Sequence, residues 1–106
     1  MMMKYYYNEV NDIVESFKRK YRKLDELDQH DELIGSVIKM TIERADIILD
    51  ELEYEVAISN NSEIHQKASK LIDYIHQYIL SLEFLRINSM SIDEFNNEIK
   101  EALKHD

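Results

Sequence analysis

Apolar residues along this chain recur at alternating steps of three and four, the spacing of one face of a helix rather than of a strand. The first run, Tyr7, Val10, Val14, Phe17, Tyr21 and Leu24, predicts a helix over 4–27, its stripe widened by Tyr6, Ile13 and Leu27. In the break "DQHDE", Asp28 or Asp31 can serve as N-cap for the next helix. Over 31–57, Ile34, Ile38, Thr41, Ala45, Ile48 and Leu52 form a second seam. It is flanked by the rows Leu33, Val37, Met40, Ile47 and Ile42, Leu49, Val56, so this helix is expected to be central and to touch two neighbours. After "SNNSE", where Asn60 or Ser62 is the expected cap, Ile64, Ala68, Leu71, Ile75, Tyr78, Leu82 and Leu85 predict a third helix over 62–86. Ile72 and Ile79 lie beside that seam, and Asn88 suits a left-handed C-terminal position.

A fourth, shorter helix is announced by "MSIDEF". Ser91 and Glu94 have capping-box spacing, Met90 can staple onto Phe95, and Ile92, Phe95, Ile99 and Leu103 form its apolar face to about residue 104. Three helices of roughly 25 residues, each on the order of 35 Å long, joined by short loops, predict an all-α fold. The expectation is an antiparallel up-down-up bundle plus a short C-terminal helix, one domain over 1–106. A single glycine, Gly35, and no proline agree with it, because a β domain of this size needs turn residues at many places.

Composition narrows the function more than it names it. No cysteine means no disulfide scaffold, thiolate zinc site or cysteine nucleophile. No apolar run has the length of a signal peptide or a membrane span, so a cytoplasmic setting without membrane contact is expected. A formal charge of −9 argues against direct binding to nucleic acid, whose phosphates need a basic face. The abundance of Ile, Lys, Asn and Tyr points to a low-GC bacterium or one of its phages.

Six carboxylates are threaded through "ERADIILDELEYE", residues 43–55. Glu43, Asp46, Asp50 and Glu53 fall at steps of 3, 4 and 3 and share a helical face. That arrangement resembles the Mg²⁺-holding carboxylates of all-α nucleotide pyrophosphohydrolases of the MazG and dimeric dUTPase type. The resemblance implies a metal-dependent hydrolase. Those families set an E-x-x-E pair on one helix against an E-x-x-D pair on another, and here helix 3 offers only the isolated Asp73 and Glu83. The seam of helix 2 also sends the four carboxylates away from the core, whereas a catalytic metal wants them converging in a dry pocket.

Other chemistries fare no better. Asp73 and His76 make one D-x-x-H outside the helix 3 seam, where a di-iron site needs inward carboxylates on four helices. His65 and His76 stand about 16 Å apart along the axis, too far to share an ion. One glycine cannot make a phosphate-cradling loop. No catalytic residue, metal or cofactor is assigned, and a non-enzymatic protein is expected. The basic run "KRKYRK", 18–23, is best explained by the helix dipole and by pairing of Glu15 with Lys18 or Arg19.

Apolar residues left outside the seams suggest what the protein does instead. Leu80, Phe84 and Ile87 face away from the helix 3 seam, and Tyr5 and Tyr6 crowd the N-terminus. Either helix 4 folds back over the first three, or this end meets a partner or a second copy in a homodimer. The expected site joins Leu80, Phe84, Ile87, Phe95, Tyr5 and Tyr6 with the acidic row Glu43, Asp46, Asp50 and Glu53. The expected role is a small acidic regulator that binds a larger protein and inhibits or adapts it, such as a phage inhibitor of a host replication, transcription or defence protein. A MazG-like hydrolase and an acidic DNA mimic are the alternatives.

Overall fold

A computed structural model describes residues 3–25, 30–88 and 92–104. They form four helices, α1 (Met3–Asp25), α2 (His30–Ile58), α3 (Ser62–Asn88) and α4 (Ile92–Lys104), with no strand among the described residues. The three long helices pack against one another, and α2 shares its largest contacts with both neighbours. The bundle runs up, down and up, as the composition of its core requires. One cluster joins the start of α1 (Tyr6, Val10, Ile13) to the end of α2 (Ala45, Ile48, Leu49, Leu52) and the start of α3 (Ala68, Leu71, Ile75). A second joins Leu24 of α1 to Ile34, Ile38 and Ile42 of α2 and Leu82 of α3. Tyr78 and Ile79 pack against both clusters and connect the two halves.

Every member of the α2 seam is buried, including Thr41. A hydroxyl in such a seam must find a partner, and Thr41 Oγ1 donates to the Val37 carbonyl one turn back at 2.8 Å. The α2–α3 turn occupies residues 59–61, and its cap is Asn61 rather than Asn60 or Ser62. Asn61 Oδ1 accepts from the amides of Glu63 (3.0 Å) and Ile64 (3.2 Å), and its carbonyl accepts from His65 N (3.1 Å). Directly preceding the first helical residue, it alone has its side chain in reach of the second and third free amides. Asn88 also departs from expectation. It closes α3 in helical conformation, and no non-glycine residue described has positive φ.

On α1 the inward frame is shifted by one residue at the N-terminus. Tyr6 and Ile13 are buried while Tyr7 is exposed, so Tyr7 leaves the seam and Tyr6 enters it. Asp28, Met90, Ser91 and the flanking Leu27 lie outside the described residues, as do the side chains of Asp31, Glu94 and Phe95; Asp31 falls within α2 rather than at its N-cap.

The described side chains of α4 belong to neither core cluster. Its described link to the bundle is ionic. Arg86 donates through Nη1 to Glu98 of α4 at 2.6 Å, and through Nε and Nη2 to Glu83 at 3.0 Å each. The bond to Glu98 above all, with help from Glu83, pushes the Arg86 pKa up against the opposing effect of its burial. The chain's radius of gyration is 16.4 Å, against about 13 Å for a compact domain of this length. Its thinnest dimension is 15 Å.

Candidate docking surface

Two outward strips, one on α2 and one on α3, carry most of the residues singled out from the sequence. At 100° per residue, Leu80, Phe84 and Ile87 lie together on the side of α3 away from Ala68, Leu71, Ile75 and Leu82. They stay exposed in the folded chain, Leu80 at 62 % and Phe84 at 68 %, and α4 does not cover them. Ile99 and Leu103 of α4 are exposed too, so the apolar face of that helix is also left open over its C-terminal half.

On α2, Glu43, Asp46, Asp50 and Glu53 are all exposed and line the flank turned toward α3. Their neighbour across the gap is fixed by Glu53, whose Oε1 lies 3.7 Å from His76 Nε2. The helices run antiparallel with equal rise, so stepping back along α2 from Glu53 keeps pace with stepping forward along α3 from His76. Asp50 and Asp46 therefore come roughly level with Leu80 and Glu83. The acidic row and the apolar row, separate in sequence, become adjacent strips of one surface.

The two N-terminal tyrosines part company. Tyr6 is 6 % exposed, packed in the first core cluster, and is withdrawn from the candidate surface. Burial in the first place, then the carboxylates Glu55 and Glu51 and the ring of Tyr5, raise its hydroxyl pKa. Tyr5 is 47 % exposed and stands edge-on to Tyr6 with ring centroids 5.1 Å apart. Glu51 is the main cause of its raised pKa, with burial and Glu9 behind it. It thus sits at the α1 side of α2, across the helix from the Glu53–His76 contact, and belongs to a different patch.

A further apolar line runs along α2. It joins Leu33, Met40 and Ile47, expected on a flank of the seam, with Tyr54, which no predicted row includes. All four are exposed and recur at intervals of seven residues on the outer side of α2, drifting from its α1 flank at Leu33 to the face opposite the seam at Tyr54. The seven-residue spacing was available in the sequence as a signal. It was hidden because a helix with apolar residues on most of its circumference fits several stripes at once. The carboxylate row, exposed on the α3 side of the outer face, and this apolar line, toward the α1 side, thus share the face of α2 turned away from the core.

Among the described residues no three His, Asp or Glu side chains are grouped to hold a metal ion. Asp73 and His76 are exposed, and His65 Nε2 bonds the Ser59 carbonyl at 2.6 Å, tying α3 to the turn before it. The inward-facing polar groups are few. The Tyr78 hydroxyl is buried without a hydrogen-bond partner among the described residues, and burial, aided by Tyr74, raises its pKa to about 12. Its ring lies parallel to that of Tyr74 at 6.4 Å, an offset arrangement. A cavity of about 10 Å³ lined by Val10, Ile13, Ala45, Ile48, Ile75 and Tyr78 lies beside it. No helix among the described residues is long and apolar enough to cross a membrane.

No protein-family model, curated protein or solved structure matches this chain.

Proposed function

We propose that the chain is a small acidic, non-enzymatic regulator that docks onto a larger protein and inhibits or adapts it. A phage-encoded inhibitor of a host replication, transcription or defence protein is the concrete form that size and composition favour. The observation that carries this is the exposed row Leu80, Phe84 and Ile87, which α4 leaves open within the chain. An aromatic and two aliphatic anchors beside a charged strip have the make-up of an interface core and its polar rim. Monomeric proteins rarely leave such apolar patches contiguous and unused.

The test pairs capture with a variant. Tagged wild-type chain is expected to retain one protein from a lysate of the source cell or its host, and Phe84→Glu with Leu80→Glu to lose it at unchanged helicity. A capture insensitive to those substitutions, or none at all, removes the support. Calorimetric titration with Mg²⁺ and Mn²⁺ addresses the hydrolase alternative. Tight binding abolished by Asp46→Ala with Asp50→Ala would replace the regulator by a metal-dependent enzyme.

A further inference from the structure

We infer that the outer line of α2 is the seat of a basic amphipathic helix supplied by the partner. This rests on the chain acting by docking, and it adds a second surface and the chemistry that fits it. Leu33, Met40, Ile47 and Tyr54 lie along α2 with 57 %, 58 % and 66 % exposure for the last three. Residues seven apart fall almost in line on a helix, so the row is a nearly straight ridge about 31 Å long. Sustained seven-residue spacing is what one helix presents to another that packs along it at a shallow angle. A helix whose only task was to cover its own core would place polar residues there, as α1 does with Asn8, Asp12 and Arg19.

Charge decides the occupant. From residue 33 to residue 58, α2 carries six carboxylates and two cations, Lys39 and Arg44. Glu43 and Asp50 border the ridge toward α3, while toward α1 it is bordered by Arg44 and, one heptad on, by Glu51. Beyond Arg44 all five charged residues are acidic, and the negative end of the helix dipole adds to them. A second copy of this chain would bring the same acidic strip and a further −9 to the contact. An anionic lipid surface or a nucleic acid would be repelled in the same way. A helix with apolar residues at heptad spacing and Lys or Arg on either side satisfies both the ridge and its borders. Its most basic part would lie over Ile47 to Ile58. Such helix-on-helix recognition draws affinity from the apolar line, while the charges set orientation and rate of encounter.

Three synthetic peptides of about 25 residues, long enough to span the ridge, test this against the whole chain by fluorescence anisotropy. The first has Leu at heptad spacing with Lys on both flanks, the second is its scramble, and the third carries Glu for Lys. The first is expected to bind in the micromolar range and to weaken with salt, the scramble to bind about tenfold or more weakly, and the Glu peptide not to bind. Met40→Glu with Ile47→Glu, both exposed positions, should cost the first peptide about tenfold or more at unchanged circular dichroism. Phe84→Glu should leave it unchanged. Equal binding of the scramble would reduce the effect to bulk charge and overturn the inference. So would indifference to the α2 substitutions, or sedimentation of the wild type as a dimer that those substitutions dissociate. If Phe84→Glu abolishes lysate capture while no peptide binds α2, the regulator stands and this inference falls.

Discussion

Replacing Tyr78 by phenylalanine is expected to stabilise the bundle. The hydroxyl is fully buried and has no partner among the described residues, while the ring packs against both core clusters. A buried donor that gives up water without compensation costs ~1–3 kcal/mol. The neighbouring cavity of about 10 Å³ is at the lower limit for one water molecule and has otherwise apolar walls, so solvent does not offset that cost. Phenylalanine keeps the ring, its packing and its arrangement with Tyr74, and removes only the oxygen. Taking the lower end, the gain of about 1 kcal/mol corresponds to a rise of about 0.5–1 M in the urea midpoint at unchanged slope. In heat it corresponds to roughly 4–8 °C for a domain of this size.

The same substitution has a pH signature. An unfolded tyrosine ionises near 10 and Tyr78 in the folded chain at about 12. Its neutral form is therefore favoured by folding, a contribution fully present below pH 10 and lost as pH rises from 10 to 12. The Phe variant lacks that loss, so its advantage over wild type should widen above pH 10. The raised pKa values of Tyr5 and Tyr6 are common to both chains and cancel in the difference. Urea titrations followed at 222 nm, at pH 7 and above pH 10, measure both effects. A Phe variant less stable than wild type at pH 7 would mean that the hydroxyl is satisfied, and would refute the reasoning.

Gly35→Ala is expected to add about 0.5–1 kcal/mol, because Gly35 is helical, lacks positive φ, and an added Cβ meets no atom within 4 Å. A lower thermal midpoint would show that the site is tighter than this. Asn61→Ala removes the cap of α3 and should cost ~1 kcal/mol in the same denaturation assay, whereas Asn60→Ala should be nearly silent. Leu52→Ala empties a fully buried position of the first cluster and should cost roughly 2–5 kcal/mol. Arg86→Ala should speed amide exchange in α4 and leave the midpoint of the three-helix bundle within about 0.5 kcal/mol. A large fall in that midpoint would place α4 inside the cooperative core.

Where one apolar stripe dominates a helix, position along the sequence translated directly into burial. Ile34 to Leu52 on α2 and Ile64 to Leu85 on α3 follow their predicted seam, from fully buried at Ile34 and Ala68 to half-buried at Ile64 and Leu85. Where apolar residues are consecutive, periodicity alone does not choose among them. Tyr5, Tyr6 and Tyr7 offer three frames, and packing against the end of α2 selects Tyr6. The same ambiguity concealed the outer line of α2, since Met40 and Ile47 fit a flanking stripe as well as an opposite one. The adjacency of the carboxylate row and the Leu80–Ile87 row is a tertiary fact. It depends on the α2–α3 turn and on Glu53 meeting His76, neither of which a heptad count contains. That α4 leaves the row uncovered is likewise tertiary, and its described contact with α3 pairs Arg86 with Glu98, twelve residues on.

The core in two clusters gives the bundle two ways to open. Tyr78 and Ile79, barely half a turn of α3, are the shared side chains through which one cluster restrains the other. Each end is therefore a separate cooperative unit in the making, with its own free energy of local unfolding. Among the described residues, the end holding Leu24, Ile34, Ile38, Ile42 and Leu82 has half as many buried members as the other. Its amides should exchange first, carrying the start of α2 and the end of α3 with them, while the end around Leu52 and Ile75 keeps its protection. A Tyr78 with its oxygen removed would strengthen the joint itself, and the two exchange rates would then draw together.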